Sequence, residues 1–240
     1  MPRRRKTSTL APSEIVSRLA ALYGQPVWRP HGDAMTELVL TILSQNTSDS
    51  NSGRAFMRLK KRFPTWQALV AAPTEEIESA IAVGGLARIK APRIKAALEA
   101  VYEKRGGFDI DFLRDLPLEE AKAWLRELNG VGPKTAACVL MFALGRPALP
   151  VDTHVHRVAQ RLGLVPEKAS AEKAHNILEA ILAPDEVYPL HIMLIKHGAR
   201  TESRDLVGRT PVISAAMAGS AAAPDRATHA AMTAATKATA

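Results

Sequence analysis

Apolar residues recur along most of the chain at intervals of three and four, the spacing that places them on one face of an α-helix. In the segment "SEIVSRLAALYG", a single face carries Ile15, Val16, Leu19 and Leu22, and Gly24 ends the pattern. The segment "DAMTELVLTILSQN" is almost wholly apolar, which predicts a central, buried helix. No stretch keeps the period-two alternation that is typical of a half-buried strand. The pattern therefore predicts an all-α fold.

Polar residues, glycines and prolines divide the rest of the chain into short helices. Pro92 is expected in the first turn of its helix, where no amide partner is lost. The predicted N-caps, whose side chains can accept a hydrogen bond from the first turn, are Ser13, Asp49, Thr65 and Thr74. The helix-like segments are "SNSGRAFMRLKKRF", "WQALVAA", "EEIESAIA", "LARIKAPRIKAALEAVYEKRGG", "PLEEAKAWLREL", "PKTAACVLMFAL", "THVHRVAQRLG", "SAEKAHNILEAIL" and "VYPLHIMLIKHG".

The composition changes near residue 211, beyond which alanine and threonine dominate and large apolar side chains almost vanish. Such a segment cannot bury enough surface to offset the entropy lost on ordering. We therefore predict that residues 211–240 form a disordered tail.

The chain carries 32 Lys and Arg against 24 Asp and Glu, a formal net charge of +8. This balance favours a polyanionic partner such as nucleic acid, although charge alone does not exclude a basic protein without one. No apolar run approaches the roughly 18 residues of a membrane helix, and no signal core follows the basic start "MPRRRKTSTLAPS". We expect a cytoplasmic, nucleoid-associated protein with no membrane attachment.

Cysteine and histidine give no pattern of a metal site. Cys138 is the single cysteine, so neither an internal disulfide nor a four-cysteine cluster can form, and its apolar surroundings predict a buried, inert thiol. His154 and His156 are two positions apart on a predicted helix and do not face one another. We interpret them as packing residues or phosphate contacts.

The sequence "NGVG" joins two predicted helices into a helix-hairpin-helix. Gly130 and Gly132 allow backbone conformations that other residues avoid, and Pro133 fits the first helical position. The amides at the start of the second helix can then bind a phosphate without reading base sequence. The alternative is a tight turn between helices that binds nothing.

The string "LNGVGPKTAACVL", followed by "VDTHVHRV", resembles the hairpin and aspartate of the endonuclease III family of DNA glycosylases. The segments "ILSQNTSDSNSGRA", "VGGLARIKAPRI" and "LIKHGART" are similar to other family segments, in the same order, so that the resemblance runs from about residue 13 to 204. It implies two helical lobes with DNA in the cleft between them. Residues 31–146 would form a six-helix barrel lobe with the hairpin, and residues 10–30 with 147–210 the second lobe.

The resemblance also implies the roles of a catalytic pair. Lys134 corresponds to the lysine whose amine attacks the sugar C1′ carbon and forms a Schiff base, which permits β-elimination. The alternative for Lys134 is a lysine that binds phosphate. Asp152 corresponds to the aspartate that stabilises positive charge on the sugar, and it also suits the N-cap of "THVHRVAQ". Both roles of Asp152 can hold together.

Further residues correspond to DNA contacts of the family. Asn46 takes the place of a glutamine that fills the gap left by the flipped base, but Gln45 is one place earlier, and the choice stays open. Leu86 corresponds to a wedge that enters the duplex. The alternative for Gln45 and Asn46 is an ordinary polar helix end. The alternative for Leu86 is a leucine of the hydrophobic core. The remaining predicted contacts are Gly130, Val131, Gly132 and His154.

The chain departs from the family at its C-terminal side. Most members end with four cysteines that hold a [4Fe–4S] cluster, whereas no cysteine follows Cys138 here and Glu202 stands where the first ligand would be. We therefore predict no iron–sulfur cluster and no other cofactor, apart from a monovalent cation on the hairpin carbonyls that the resemblance would allow.

Three alternative functions are consistent with the sequence. We expect the protein to be a monomer whose partner is damaged double-stranded DNA. The first is a base-excision-repair glycosylase with AP lyase activity on oxidised pyrimidines. The second is a monofunctional glycosylase for alkylated purines. The third is a non-catalytic helix-hairpin-helix protein that binds DNA, which has no use for Asp152 opposite Lys134.

Overall fold

The computed structural model describes residues 11–205, with side chains as far as residue 198. Residues Met1–Ala199 cluster into one unit and Arg200–Ala240 into another, and the fold below is that of the first. Every regular element in the described part of the chain is helical, which confirms the all-α class. The α-helices are α1 (Pro12–Tyr23), α2 (Ala34–Ser44), α3 (Asp49–Arg62), α4 (Trp66–Ala71), α5 (Thr74–Ile81), α6 (Ala87–Arg105), α7 (Leu118–Arg126), α8 (Pro133–Cys138), α9 (Thr153–Arg161), α10 (Ala171–Ile181) and α11 (Pro184–Asp205). Short 3₁₀ turns span Ala82–Gly84 and Asp111–Arg114, and a π-helical turn, Val139–Ala143, continues α8.

The helix starts agree only in part with the predicted caps. Thr65 caps α4, because its hydroxyl accepts a hydrogen bond from the first turn at 3.2 Å. The prediction is wrong for Asp49, since the Ser48 side chain caps α3 and Asp49 is already helical. It is also wrong for Ser13 and Thr74, whose helices begin directly before or at these residues without a side-chain cap. A proline lies at each start instead, with Pro12 as the first residue of α1 and Pro73 directly before α5.

Pro92 lies inside α6, not in its first turn as predicted. The helix begins at Ala87, well before Pro92. Leu86, the residue before the helix, has φ 53° and is left-handed, so the helix cannot extend back through it. Pro92 has no amide hydrogen, so the carbonyl of Arg88 lacks its usual partner within the helix. Pro92 is exposed, which places this interruption on the solvent side.

One hydrophobic cluster joins buried side chains from Ala34 to Ala148. Helix α2 is central to it, since α2 contacts α3, α6, α8 and the π-helical turn. The predicted buried helix is therefore confirmed, with Leu38 and Ile42 fully buried. None of the helices in the described part of the chain is both long and apolar enough to cross a membrane.

The division into lobes at 31–146, 10–30 and 147–210 stays a prediction. The predicted disordered tail, 211–240, lies outside the described residues.

Candidate active site

The predicted hairpin lies between α7 and α8. Gly130 has φ 81°, a conformation that favours glycine, and a Cβ atom there would stand 3.2 Å from Cδ of Arg93, so a larger residue would also have to displace that side chain. Gly132 is exposed, with open space around its Cα. The Val131 side chain is 6% exposed and packs in the core. Any contact between Val131 and DNA must therefore come from its backbone.

Lys134 is the second residue of α8, where the hairpin ends. Its side chain is partly buried, and its charge acts on the thiol of Cys138, one turn further along the helix. Burial raises the pKa of the Cys138 thiol to about 11, although the Lys134 charge opposes this rise. The thiol therefore stays protonated at neutral pH, as expected for a buried, inert cysteine.

Asp152 is the N-cap of α9. Its Oδ1 atom accepts a hydrogen bond of 2.7 Å from the amide of Val155, so the capping interpretation is confirmed. The side chain is only partly buried. The cap fixes the direction of the carboxylate, which a residue that must meet a reacting sugar also needs.

Lys134 and Asp152 act on the same two buried groups. His191 in α11 is 2% exposed, and burial lowers its pKa to about 4, while the Asp152 charge raises it and the Lys134 charge lowers it. The thiol of Cys138 also experiences both charges. The charges of Lys134 on α8 and Asp152 on α9 thus both act on Cys138 and His191.

His191 fixes the chain just before Asp152. Its Nδ1 atom lies 3.0 Å from the carbonyl oxygen of Pro150, and since a carbonyl can only accept, Nδ1 donates this bond. The imidazole is neutral at neutral pH because of its lowered pKa. A buried, uncharged histidine therefore anchors the segment that leads into α9.

Glu37 is a member of this site that the sequence analysis did not single out. It lies on α2, is 7% exposed, and its Oε1 accepts a hydrogen bond of 3.2 Å from the Thr41 hydroxyl. Burial raises the pKa of Glu37 to about 7, while the Thr41 bond and the Lys134 charge oppose the rise. The available signal was one carboxylate in an otherwise apolar helix, "AMTELVLTILS".

The ring of His31 connects this carboxyl group to a series of aromatic rings. His31 lies with its Nδ1 3.7 Å from Oε2 of Glu37 and stacks on Phe142, with ring centroids 4.7 Å apart. The edge of Phe142 meets His191 at 5.5 Å and Tyr188 at 6.4 Å. We call His31, Glu37, Phe142 and His191 the carboxyl–ring cluster. It connects the start of α2, the π-helical turn and α11.

The segment after α2 contains the two candidates for filling the flipped-base gap. Gln45 is held between Thr135 and Arg93, with hydrogen bonds of 3.3 Å to each. Asn46 is exposed and has φ 52°, in the left-handed region. Gln45 is thus tied to the hairpin helix and Asn46 projects to solvent, and the choice between them stays open.

Leu86 is not a core leucine, since it is 48% exposed at the tip of its loop. The buried Lys90 ties this loop to the segment after α2. Its Nζ donates to Leu43 O at 2.6 Å, to Thr47 Oγ1 at 3.0 Å and to Gly84 O at 3.2 Å. Burial lowers the pKa of Lys90, which is only 1% exposed. We call this arrangement the Lys90 clamp, and the sequence analysis missed it.

His154 is partly buried between α9 and α11. A Cβ atom at Gly198 would lie 3.5 Å from Cβ of His154, and the Arg157 guanidinium donates to His154 Nδ1 at 3.2 Å. These contacts support the packing interpretation, and contact with phosphate stays a prediction. Glu202 lies in the part of α11 whose side chains are not described.

An iron–sulfur cluster does not fit this chain. Such a cluster needs four cysteine thiolates, and the one cysteine, Cys138, is buried in α8 with its thiol protonated. Among the described residues, no group of three or more His, Cys, Asp and Glu side chains could hold a metal ion.

Two cavities lie on the surface of the molecule. One of about 410 Å³ is lined by residues of α7 and α10, including Lys122 and Glu179, and by Pro133 and Ala136 of α8. The other, of about 350 Å³, is lined by Trp28 and Tyr188 among others. Neither Lys134 nor Asp152 lines these two cavities.

Comparison with known proteins identifies the family of this chain. Residues 39–184, more than half of the chain, match the family model described as HhH-GPD superfamily base excision DNA repair protein. This chain belongs to the HhH-GPD superfamily. The match includes α8 and α9, and hence both Lys134 and Asp152.

Relatives within the superfamily support the resemblance to endonuclease III. A protein of Arabidopsis thaliana described as a candidate DNA glycosylase is 46% identical over 162 residues, 67% of this chain and 55% of that protein. Endonuclease III of Thermotoga maritima is 36% identical over 168 residues, 70% of this chain and 74% of its own. The chain thus spans little more than half of the Arabidopsis relative.

A solved structure of a trapped endonuclease III–DNA covalent intermediate has the same fold. It is 29% identical, with a TM-score of 0.65 over 78% of this chain and 85% of that one. The HhH-GPD fold is therefore shown by both sequence and structure.

Proposed function

We propose that this HhH-GPD protein is a DNA glycosylase with AP lyase activity that removes oxidised pyrimidines from duplex DNA. The observation that carries the proposal is the pairing of Lys134, in the first turn of α8 directly after the hairpin, with the oriented carboxylate of Asp152 at the start of α9. The charges of both groups act on Cys138 and His191, and a protein that only grips the duplex has no need of such an amine and fixed carboxylate. The covalent DNA complex of its structural neighbour is consistent with such chemistry.

The proposed reaction begins with a damaged base that rotates out of the duplex. The amine of Lys134, once neutral, attacks C1′ of the sugar while the bond from C1′ to the base breaks, and the base leaves with the bonding electrons. The Asp152 carboxylate stabilises the positive charge that develops on the sugar. Its bond to the Val155 amide keeps it oriented throughout.

The covalent intermediate then becomes a Schiff base between Lys134 and the opened sugar. The imine draws electrons from C2′, so a proton is lost there and the bond to the 3′ phosphate breaks. This β-elimination leaves a nicked strand, and hydrolysis of the imine releases Lys134. The sequence of steps needs no metal or redox group.

The duplex would be held by groups around this pair. In this proposal Leu86 enters the stack from its exposed loop, and Asn46 or Gln45 fills the space left by the base. The hairpin at Gly130–Gly132 binds a phosphate through its amides. The net charge of +8 adds attraction that does not depend on base sequence. A monomer in the cytoplasm, associated with the nucleoid, remains our prediction.

The experiment is borohydride trapping. The protein is incubated with duplex DNA that contains thymine glycol or an abasic site, and borohydride then reduces any imine to a stable adduct. We expect an adduct with the wild type and none with Lys134→Ala. Lys61→Ala is the matched control, because it removes the same charge from an exposed position and should trap normally.

The other outcomes identify the alternative functions. Base release without trapping would indicate a monofunctional glycosylase, and alkylated purines would then be the substrates to test. Salt-sensitive binding with neither base release nor trapping would leave a non-catalytic DNA-binding protein.

A further inference from the structure

Glu37 has no role in the steps above, although it is a buried carboxyl group close to Lys134. Burying a carboxylate is costly unless strong partners compensate. The partners of Glu37 are the neutral Thr41 hydroxyl at 3.2 Å and the half-exposed His31 at 3.7 Å. These contacts compensate weakly for the loss of water, which points to a group that serves a ligand.

Its position is suited to the extruded base. Helix α2, which carries Glu37, packs directly against α8, which carries Lys134. His31, beside the Glu37 carboxyl group, and Phe142 are stacked nearly parallel, with 9° between their planes. Flipped bases are held by aromatic faces and by hydrogen bonds to their edges. The carboxyl–ring cluster supplies both kinds of contact next to the attacking amine.

We infer that Glu37 reads the edge of the extruded base and selects bases with an imide edge, such as ring-saturated pyrimidines. This inference rests on the proposed function. A neutral carboxyl group offers an O–H donor beside a carbonyl acceptor. An imide offers the complementary pair, a carbonyl acceptor beside an N–H donor, so two hydrogen bonds form at once. A guanine-type edge, with two adjacent donors, is matched instead by an ionised carboxylate.

The protonation state agrees with this selection. The groups that face Glu37 are His31 before α2 and Lys134 and Cys138 on α8. Burial outweighs the opposing Lys134 charge, and the pKa of about 7 keeps much of the carboxyl group neutral at neutral pH. Selection should therefore weaken as the pH rises above 7.

The test compares two reactions of the same protein. Excision of thymine glycol from duplex DNA requires base recognition, whereas strand cleavage at a preformed abasic site does not. We expect Glu37→Leu to slow excision by about tenfold or more, since two hydrogen bonds are lost, and to slow abasic cleavage far less. Glu37→Gln keeps a donor beside an acceptor, so it should retain excision and lose the decline above pH 7.

A second comparison addresses selectivity. The wild type should excise thymine glycol at least about tenfold faster than 8-oxoguanine, and Glu37→Leu should narrow that ratio. Normal excision by Glu37→Leu would overturn the inference while leaving the proposed function intact. The inference would also be overturned if a folded Glu37→Leu protein lost excision and abasic cleavage to the same extent. The same holds if Glu37→Gln lost as much excision activity as Glu37→Leu. Absence of abasic-site trapping in the wild type would instead refute the proposed function.

Discussion

The Lys90 clamp gives the sharpest test of how this fold holds the loops that carry Asn46 and Leu86. Replacing Lys90 by Met keeps most of the apolar stem and removes the ammonium with its three hydrogen bonds. Leu43 lies in the last turn of α2, where carbonyls have no helical partner, so its carbonyl oxygen would be left unpaired. Gly84 would keep a hydrogen bond from the Thr47 hydroxyl.

The magnitude follows from these contacts. Loss of the hydrogen bonds from a charged donor costs about 3–5 kcal/mol, and relief of the burial cost of the ammonium returns roughly 1–2 kcal/mol. We expect Lys90→Met to lower the free energy of unfolding by about 2–3 kcal/mol. For a unit of this size, that corresponds to a decrease in Tm of roughly 5–10 °C.

The measurement is urea unfolding followed by far-ultraviolet circular dichroism. Lys95→Met, on the same helix, is the matched control, because Lys95 donates one hydrogen bond, to Ala72 O at 2.8 Å, and is only partly buried. It should cost about 1 kcal/mol or less. If Lys90→Met were as stable as the wild type, the ammonium would contribute no net stability and our reasoning would be refuted.

Three further predictions concern single side chains. Glu37→Gln should leave the free energy of unfolding unchanged below pH 4.5 and raise it by up to about 3 kcal/mol above pH 7. The raised pKa of Glu37 makes the folded wild type lose stability as the pH rises from 4.5 to 7, and glutamine does not titrate. If the free energies of unfolding of the two proteins differed by the same amount at every pH, the prediction would be contradicted. Gly84→Ala should destabilise by about 1–3 kcal/mol, since its Cβ would stand 2.9 Å from that of Ala55, whereas Gly53→Ala, in open space within α3, should stabilise by about 0.5–1 kcal/mol. Asp152→Asn should keep the α9 cap and the Tm but lower trapping at least about tenfold, and unchanged trapping would remove Asp152 from the chemistry.

Local turn chemistry explains what the sequence could predict. The hairpin at Gly130 and the cap at Asp152 depend on residues within a few positions of one another, and both are found where expected. The exact first residue of a helix is harder to predict, because neighbouring serine, threonine, aspartate and proline residues are each suited to the N-cap or the first helical position. Ser48 accordingly caps the helix that Asp49 was expected to cap.

Contacts between distant segments explain what the sequence did not reveal. Lys90 resembles any surface lysine until the chain folds and brings Leu43, Thr47 and Gly84 around its ammonium. The interaction of Glu37 with the Lys134 charge likewise joins two residues almost a hundred positions apart in the sequence. Helical periodicity reports which face is buried, and it does not report which charged groups will meet there.

The Lys90 clamp has a consequence for protein engineering. The ammonium of Lys90 holds the end of α2 and the loop before α6 together through shared hydrogen bonds, so the positions of these two segments depend on each other. A chimera that imports only one of them from a relative would mismatch the shared bonds, and both should be exchanged together with the lysine. Substitutions in either segment are therefore expected to depend on the identity of the other.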